Sequence, residues 1–313
     1  MGSALKASGA VIHNTNTSLA SRASVRAIWR QYYYLTKPGI VRGNLFTAVA
    51  GFLLAAAGSV AFTPLISLII GLGMVIGSGC VFNNYLDRNI DIRMARTSRR
   101  ALVTGVISVR HALLFGALLG SAGLAILAGG AGVLAAALAA AGLFAYVVVY
   151  GIAKRQTVHG TLIGSISGAI PPLVGYAAGG GSLDLGALLL FVVLVTWQMP
   201  HFYAIALYRH EDYKAAGLPI LAVVRGFRTT TAQIIMYTAL YGIAVSALTI
   251  TGAASAGFGI AMTILNSVWL LQTLQGLRIG TDDDAKHWAR RVFRSSLLVL
   301  TLLCIAIAVD SFI

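Results

Sequence analysis

Charged side chains are scarce in this chain: only 10% of its 313 residues are Asp, Glu, Lys or Arg, while 58% are hydrophobic. That imbalance, with a mean hydropathy of +0.84, excludes an ordinary water-soluble domain, whose core could not bury so much apolar surface. Cysteine is almost missing. Cys80 and Cys304 both fall in apolar stretches, so neither a disulfide framework nor a zinc site is expected. The first 30 residues lack acids and lack an apolar run of signal-peptide length, which argues against cleavage by a secretory peptidase. A mitochondrial presequence would share that composition. Acids are the rarer sign throughout, nine against 23 bases, and the net charge is +14. No nucleic-acid-binding module accompanies the excess, so the bases are expected to orient the protein and to meet anionic lipid headgroups, each worth about 1 kcal/mol near the surface.

What is present is a series of long apolar runs. Cutting at polar breaks leaves nine stretches close to the ~20 residues needed to cross a bilayer: 40–58, 63–84, 111–129, 132–152, 160–179, 185–206, 230–251, 254–275 and 293–311. With the N-terminus inside, the successive inner segments hold six, six, two, four and five Lys and Arg, which accounts for all 23. The outer loops hold no base and only Asp184, with Asp310 near an outer C-terminus. This is the distribution expected when basic loops stay in the cytoplasm. The fold class is therefore an all-α integral membrane protein with nine transmembrane helices and a cytoplasmic N-terminus. Residues 1–38 form a cytoplasmic N-terminal segment, in which Arg22, Arg26, Trp29 and Arg30 suit a short interfacial helix; residues 39–313 form the transmembrane domain.

Two polar clusters interrupt the apolar pattern. Asn83 to Asp91 read NNYLDRNID, and His201 to Tyr213 read HFYAIALYRHEDY. Asn83, Asp87 and Asp91 lie four residues apart, so on a helix they share a face within roughly 80°. His201, Ile205, Tyr208 and Asp212 are expected to follow a similar path. The clusters end the second and sixth spans, four spans apart, which suggests two related four-helix halves whose active faces meet on the cytoplasmic side, followed by a ninth helix. Acids among many bases at a membrane surface suit the binding of a diphosphate through Mg²⁺, which takes oxygen ligands and one or two carboxylates beside the substrate's own phosphate oxygens. Such a site stabilises charge on a departing diphosphate. Nearby Arg and Lys would complete the neutralisation. No Lys, Arg, Asp or Glu lies near the middle of a predicted span, where transporters commonly carry them.

The sequence Asn83-Asn84-Tyr85-Leu86-Asp87-Arg88-Asn89-Ile90-Asp91 resembles the first aspartate-rich motif, NDxxDxxxD, of the intramembrane prenyltransferases named after the ubiquinone-pathway enzyme, with Asn84 in place of the usual acid. Their second motif normally shows acids where this chain has His201, Tyr208 and Asp212. The His and the YRxxDY ending look like the protoheme IX farnesyltransferase (heme O synthase) branch. Further matches are LTKPGI at 35–40, RTSRRALVTG at 96–105, YGIAKRQTVHGTLIGSISGAIPPLVGYAAG at 150–179, WQMPHFYAIALYRHEDYKAAGLPILAVVRG at 197–226 and DDDAKHWARRVF at 282–293. The resemblance runs from about residue 32 to residue 311. Ala101 replaces a Pro that many relatives carry, a change expected to affect only loop stiffness.

What the resemblance implies is transfer of the farnesyl group of farnesyl diphosphate to a vinyl group of heme B, with addition of water, giving heme O and diphosphate. It implies Mg²⁺ at Asp87, Asp91 and Asp212, and metal or diphosphate contacts at Asn83 and Asn84. Diphosphate neutralisation falls to Arg88, Lys154, Arg155 and Arg209, with Arg100 a peripheral member. His201 is the candidate heme contact, either ligating iron or hydrogen-bonding a neighbour or the diphosphate. Tyr208, grouped with the catalytic residues, has three readings open: holding a propionate, orienting water, or anchoring at the interface. The expected partners are farnesyl diphosphate, heme B, membrane lipids and a heme A synthase or terminal-oxidase assembly partner, with no nucleic acid. The location implied is a bacterial cytoplasmic (inner) membrane, with the site facing the cytoplasm; a mitochondrial inner membrane is the alternative. A prenyltransferase for a quinone precursor or a chlorin would be expected to keep acids at 201 and 208, and a non-catalytic heme transporter or assembly factor is the competitor from another class. The Pro171-Pro172 pair is expected to shape the fifth span.

The charge pattern makes a direct prediction. A reporter active only outside the cytoplasm should be active when fused after Gly180 and silent when fused after Ala95 or Gly217. The reverse pattern at any of these sites would sink the nine-span topology.

Overall fold

The structure, a computed structural model, describes residues 26–313; Lys6, His13 and Arg22 lie outside them. Among the described residues, nine helices are long and apolar enough to cross a bilayer: α1 Pro38–Ala56, α2 Phe62–Asp91, α3 Val109–Gly130, α4 Val133–Gln156, α5 Gly160–Ala178, α6 Leu185–Tyr208, α7 Gly226–Ile250, α8 Ala256–Arg278 and α9 Asp282–Asp310. A short helix over 26–35 precedes α1, with Trp29, Tyr33 and Tyr34 exposed. On the bundle exterior, Ile260, Ile264, Val268 and Leu271 of α8 make an exposed stripe at helical spacing. Such a stripe is what lipid, and not water, accommodates.

Two helices run further than hydropathy indicates. α2 continues to Asp91, seven residues past the expected lipid boundary, and α9 begins at Asp282, eleven before it. Leaving lipid does not end a helix whose backbone bonds are already internal; at α9, Trp288 is fully buried and anchors the polar first turns. The path expected from His201 to Asp212 breaks instead. α6 ends at Tyr208, Arg209 adopts φ −108° and ψ 19°, and Asp212 belongs to a separate short helix, His210–Ala215. His201 therefore lies inside α6, two turns from its end, and not at a helix terminus.

α1 packs along α5 and α2 along α3; four spans later, α6 packs along α7, and α9 closes the bundle against both α6 and α1. The α1–α5 crossing is set by small residues. A Cβ at Gly51 would overlap the Pro172 carbonyl oxygen, and one at Gly175 the Ala48 carbonyl oxygen. Close backbone approach of this kind is how helices associate where lipid removes the hydrophobic driving force. α5 is split at Ala169, before Pro171 and Pro172. Gln198 of α6 donates to the Ser165 carbonyl at 3.1 Å, which also accepts from the Ala169 N–H at 3.0 Å, so α6 is tied to α5 beside that break.

The crossing gives a stability prediction. Gly175→Ala should lower the melting temperature of detergent-solubilised protein, since overpacking of this kind costs about 1–3 kcal/mol. Gly129→Ala, in α3 with nothing within 4 Å of the added methyl, should leave melting unchanged or raise it. Equal behaviour of the two variants would contradict the packing described.

Candidate active site

The base-rich end of the bundle is organised around the last three turns of α2. Asp87 accepts from Lys154 Nζ at 2.7 Å and from Arg155 Nη2 at 3.1 Å, both near the end of α4. One turn on, Asp91 Oδ2 accepts from Arg100 Nη1 at 2.7 Å. The Asp91 carbonyl also accepts from Thr97 Oγ1, so the segment joining α2 to α3 is drawn over the motif. α4 is rewound just before its contribution: a π-helical stretch spans Ala145–Tyr150, Tyr146 stacks on Tyr150, and Lys154 lies 5.1 Å from the Tyr150 ring centre. Single π turns of this kind are frequent at functional sites.

The other flank is built by the residues before α1. Asn84 Nδ2 donates to the Leu35 carbonyl at 2.9 Å, and Lys37 Nζ donates to Asn83 Oδ1 at 3.0 Å. Lys37 holds φ 51° and ψ 66° immediately before Pro38, a left-handed conformation that a lysine preceding proline adopts only under constraint. Strain of this kind collects where surrounding structure demands a particular side-chain direction. Two buried polar atoms here have no partner, Asn84 Oδ1 and Asn83 Nδ2. Beside them opens a cavity of about 250 Å³ lined by Gln31, Tyr34, Lys37, Asn84, Arg96, Arg99 and Arg100. Four cations and no acid line it, a potential that gathers anions. Burial pushes the Lys37 ammonium down to about 8, opposed by Cys80 and Asp87 and helped by Arg100 and Lys154.

The second cluster is aromatic in character. His201 stacks on Trp197, with ring centres 5.0 Å apart and planes 25° apart, and lies 5.0 Å from Phe293 of α9. Its Nδ1 lies 2.8 Å from Ser296 Oγ. Tyr208 packs edge-on against Phe293, with the Arg209 and Arg290 guanidinium groups 5.5 and 6.0 Å from its ring centre.

Of the residues expected from sequence, Asn83, Asn84, Asp87, Asp91, Arg100, Lys154 and Arg155 are linked through α2 and its partners. Arg88 turns back on its own helix, donating to the Tyr85 carbonyl and covering the Tyr85 ring. Asp212 is half-buried and pairs with Arg209 at 3.6 Å. Among the described residues, no three His, Cys, Asp or Glu side chains converge as a ready metal cage, so Asp87, Asp91 and Asp212 are not gathered into one. The donor set still suits Mg²⁺, which needs few carboxylates and keeps phosphate and water oxygens: Asp87 and the unpartnered Asn84 Oδ1 occupy consecutive turns of α2. Lys37, Arg96, Arg99, Trp197 and Ser296 went unassigned in the sequence. Lys37 had a signal there in the Lys-Pro step that opens the first span, and Arg96, Arg99 and Trp197 lay in matched segments without an assigned role; Ser296 had none.

Residues 44–298 match the UbiA prenyltransferase family. The chain is 45% identical to "Protoheme IX farnesyltransferase 2" of Chromobacterium violaceum, covering 90% of this chain and 93% of that one. It is 44% identical to protoheme IX farnesyltransferase of Sodalis glossinidius, covering 90% and 94%. Among solved structures, it superposes on a digeranylgeranylglyceryl phosphate synthase structure with TM-score 0.75 at 17% identity, covering 91% of this chain and 99% of that one. A UbiA homolog from Archaeoglobus fulgidus bound to GPP and Mg²⁺ gives TM-score 0.62 at 18% identity, covering 89% and 99%. These likenesses to solved structures establish the fold.

Burial of Lys37 leads to an expected pH dependence. Its folded-state value lies below the ordinary lysine range, so the ammonium is present below about 8 and is lost as pH rises through it. Affinity for a prenyl diphosphate analogue should fall between pH 7 and 9 more steeply in the parent than in Lys37→Arg, whose guanidinium stays charged. Parallel titrations of the two proteins would remove Lys37 from the anion site.

Proposed function

Because the chain belongs to the UbiA prenyltransferase family, we propose that it joins the farnesyl group of farnesyl diphosphate to a vinyl group of heme B, with water adding to give heme O and diphosphate. The observation that carries this reading is the likeness to protoheme IX farnesyltransferases over 90% of the chain. Two clusters agree with it: cations around α2 suit a diphosphate, and aromatic rings along α6 and α9 suit a planar macrocycle.

In this reading, Lys154, Arg155, Arg100 and Lys37 hold the diphosphate against α2, with Arg209 reaching it from beyond α6. Asn83 and Asn84 offer amide contacts to its oxygens. Asp87 and Asn84 of α2 would hold Mg²⁺, with Asp91 beside them and Asp212 reaching it only by moving in from the second cluster; the ion would supply further neutralisation of charge on the leaving diphosphate. The farnesyl C1–O bond breaks with its electron pair passing to the diphosphate. The vinyl carbons supply the pair that forms the new C–C bond at C1, and water adds to the resulting cation beside the pyrrole, releasing a proton. Tyr208, next to Arg209 and Arg290, orients that water or meets a propionate. His201 meets the heme. Catalysis is then chiefly electrostatic and positional, by groups held in place before substrate arrives.

The protein is a multi-pass membrane protein. We place it in a bacterial cytoplasmic membrane with the site on the cytoplasmic face, among anionic lipids, delivering its product to a heme A synthase or a terminal oxidase under assembly.

Mass spectrometry of hemes extracted from membranes with and without this protein tests the activity: heme O should accumulate only when it is present. Asp87→Ala and Asp212→Ala should each cut turnover by on the order of 100- to 1000-fold, the usual cost of losing one preorganised electrostatic contact. Near-normal farnesyl transfer by both purified variants would overturn the metal and diphosphate assignment.

A further inference from the structure

His201 makes its one side-chain hydrogen bond to Ser296, 95 residues along the chain and on the opposite helix. The direction of that bond is determined by a second one. Ser296 Oγ lies 2.6 Å from the Phe293 carbonyl oxygen, an acceptor only, so the single hydroxyl proton is donated there. Toward His201 the hydroxyl oxygen can then only accept, and the imidazole must carry its proton on Nδ1. The neutral ring's other nitrogen, Nε2, is left with its lone pair.

The same residue steadies the ring in a second way. Trp197 Nε1 donates to the Ser296 carbonyl at 2.8 Å, and Trp197 is the ring stacked on His201, with Phe202 and Phe293 packed around it. Ser296 is fully buried. It thus grips the imidazole through its hydroxyl and the covering indole through its backbone.

We infer that Ser296 is a positioning residue that locks His201 in the Nδ1–H tautomer and presents its Nε2 lone pair to the iron of the heme substrate. The arrangement follows the general logic by which a ligating histidine has its far nitrogen hydrogen-bonded to fix ring orientation and basicity. This inference rests on the heme reading above. It adds a residue of α9, outside both polar motifs, to the acceptor-substrate site, and explains how a histidine in a mostly apolar bundle keeps one tautomer without a carboxylate beside it.

The test uses the full chain in detergent, titrated with heme B and, separately, with a non-hydrolysable farnesyl diphosphate analogue. Ser296→Ala removes the hydroxyl but keeps the carbonyl that holds Trp197. Heme B affinity should fall by about 10- to 100-fold, the usual cost of losing such an outer partner, and the Soret band should shift. The iron–histidine stretching band of the ferrous complex should move to lower frequency, a change that loosened packing alone would not produce. Ser296→Thr, which retains the hydroxyl, should restore all three readouts to near the parent, while analogue affinity stays within a few-fold in every variant. If Ser296→Ala also loses the analogue, the comparison passes to Ser296→Thr against Ser296→Val, equal in size and differing in the hydroxyl. His201→Ala separates the two levels of the reading. Unchanged heme spectra in His201→Ala would overturn heme ligation itself. An altered spectrum in His201→Ala with a parent-like spectrum and affinity in the hydroxyl-free variant would overturn the role of Ser296 alone.

Discussion

Asp87 between Lys154 and Arg155 is the contact on which the site depends. A carboxylate drawn into a helix bundle is tolerated only when paired, and removing one partner from a buried pair costs far more than the pair itself contributes. At 15% side-chain exposure for Asp87 and 10% for Lys154, this pair is screened little by water. It therefore ties the end of α2 to the end of α4. The π-helical stretch in α4 and the Tyr146–Tyr150–Lys154 stack are the local adjustments that bring the lysine to the acid. In the proposed reading, the ion pairs also hold cations close to where a diphosphate's charge would arrive.

The same economy of polar groups governs the rest of the bundle. Lipid offers no hydrogen bonds, so any break in a helix must be answered by a neighbour. Gln198 adds a bond to the Ser165 carbonyl beside the split in α5, and the α1–α5 contact nearby is close enough to admit only glycine at 51 and 175. α6 is thereby tied to α5 through Gln198 and to α9 through Trp197 and His201. One face of α6 thus closes the scaffold against both neighbours.

Much of this was legible in the sequence, for identifiable reasons. Hydropathy located all nine spans because the bilayer imposes a length and a composition on each, and the four-residue spacing of Asn83, Asp87 and Asp91 placed them on one helix face. Hydropathy measures lipid contact, however, and not helicity, which is why it stopped α2 before its functional turns and started α9 too late. The turn at Arg209 was hidden, because helical spacing continues in the letters past the point where the helix ends. Ser296 was illegible for a different reason: its role is a bond across 95 residues, and a serine in an apolar helix has no pattern of its own. Lys37 lay between these cases, since the Lys-Pro step was visible but the left-handed backbone that aims the side chain at Asn83 was not.

In the proposed reading, the two clusters divide the chemistry. The N-terminal residues, α2, α4 and the segment between α2 and α3 supply nearly all the charge; α6 and α9 supply rings, with Tyr208 capped by Arg209 and Arg290 at the far edge. A diphosphate and a porphyrin make opposite demands, one for dense positive charge and the other for a flat apolar wall with cations only at the rim. A second cluster of acids at 201 and 208 would serve the first demand twice and the second not at all. In that reading, a stacked imidazole and a phenol at those positions leave the diphosphate to α2 and its cations, and give α6 and α9 a surface suited to an aromatic macrocycle.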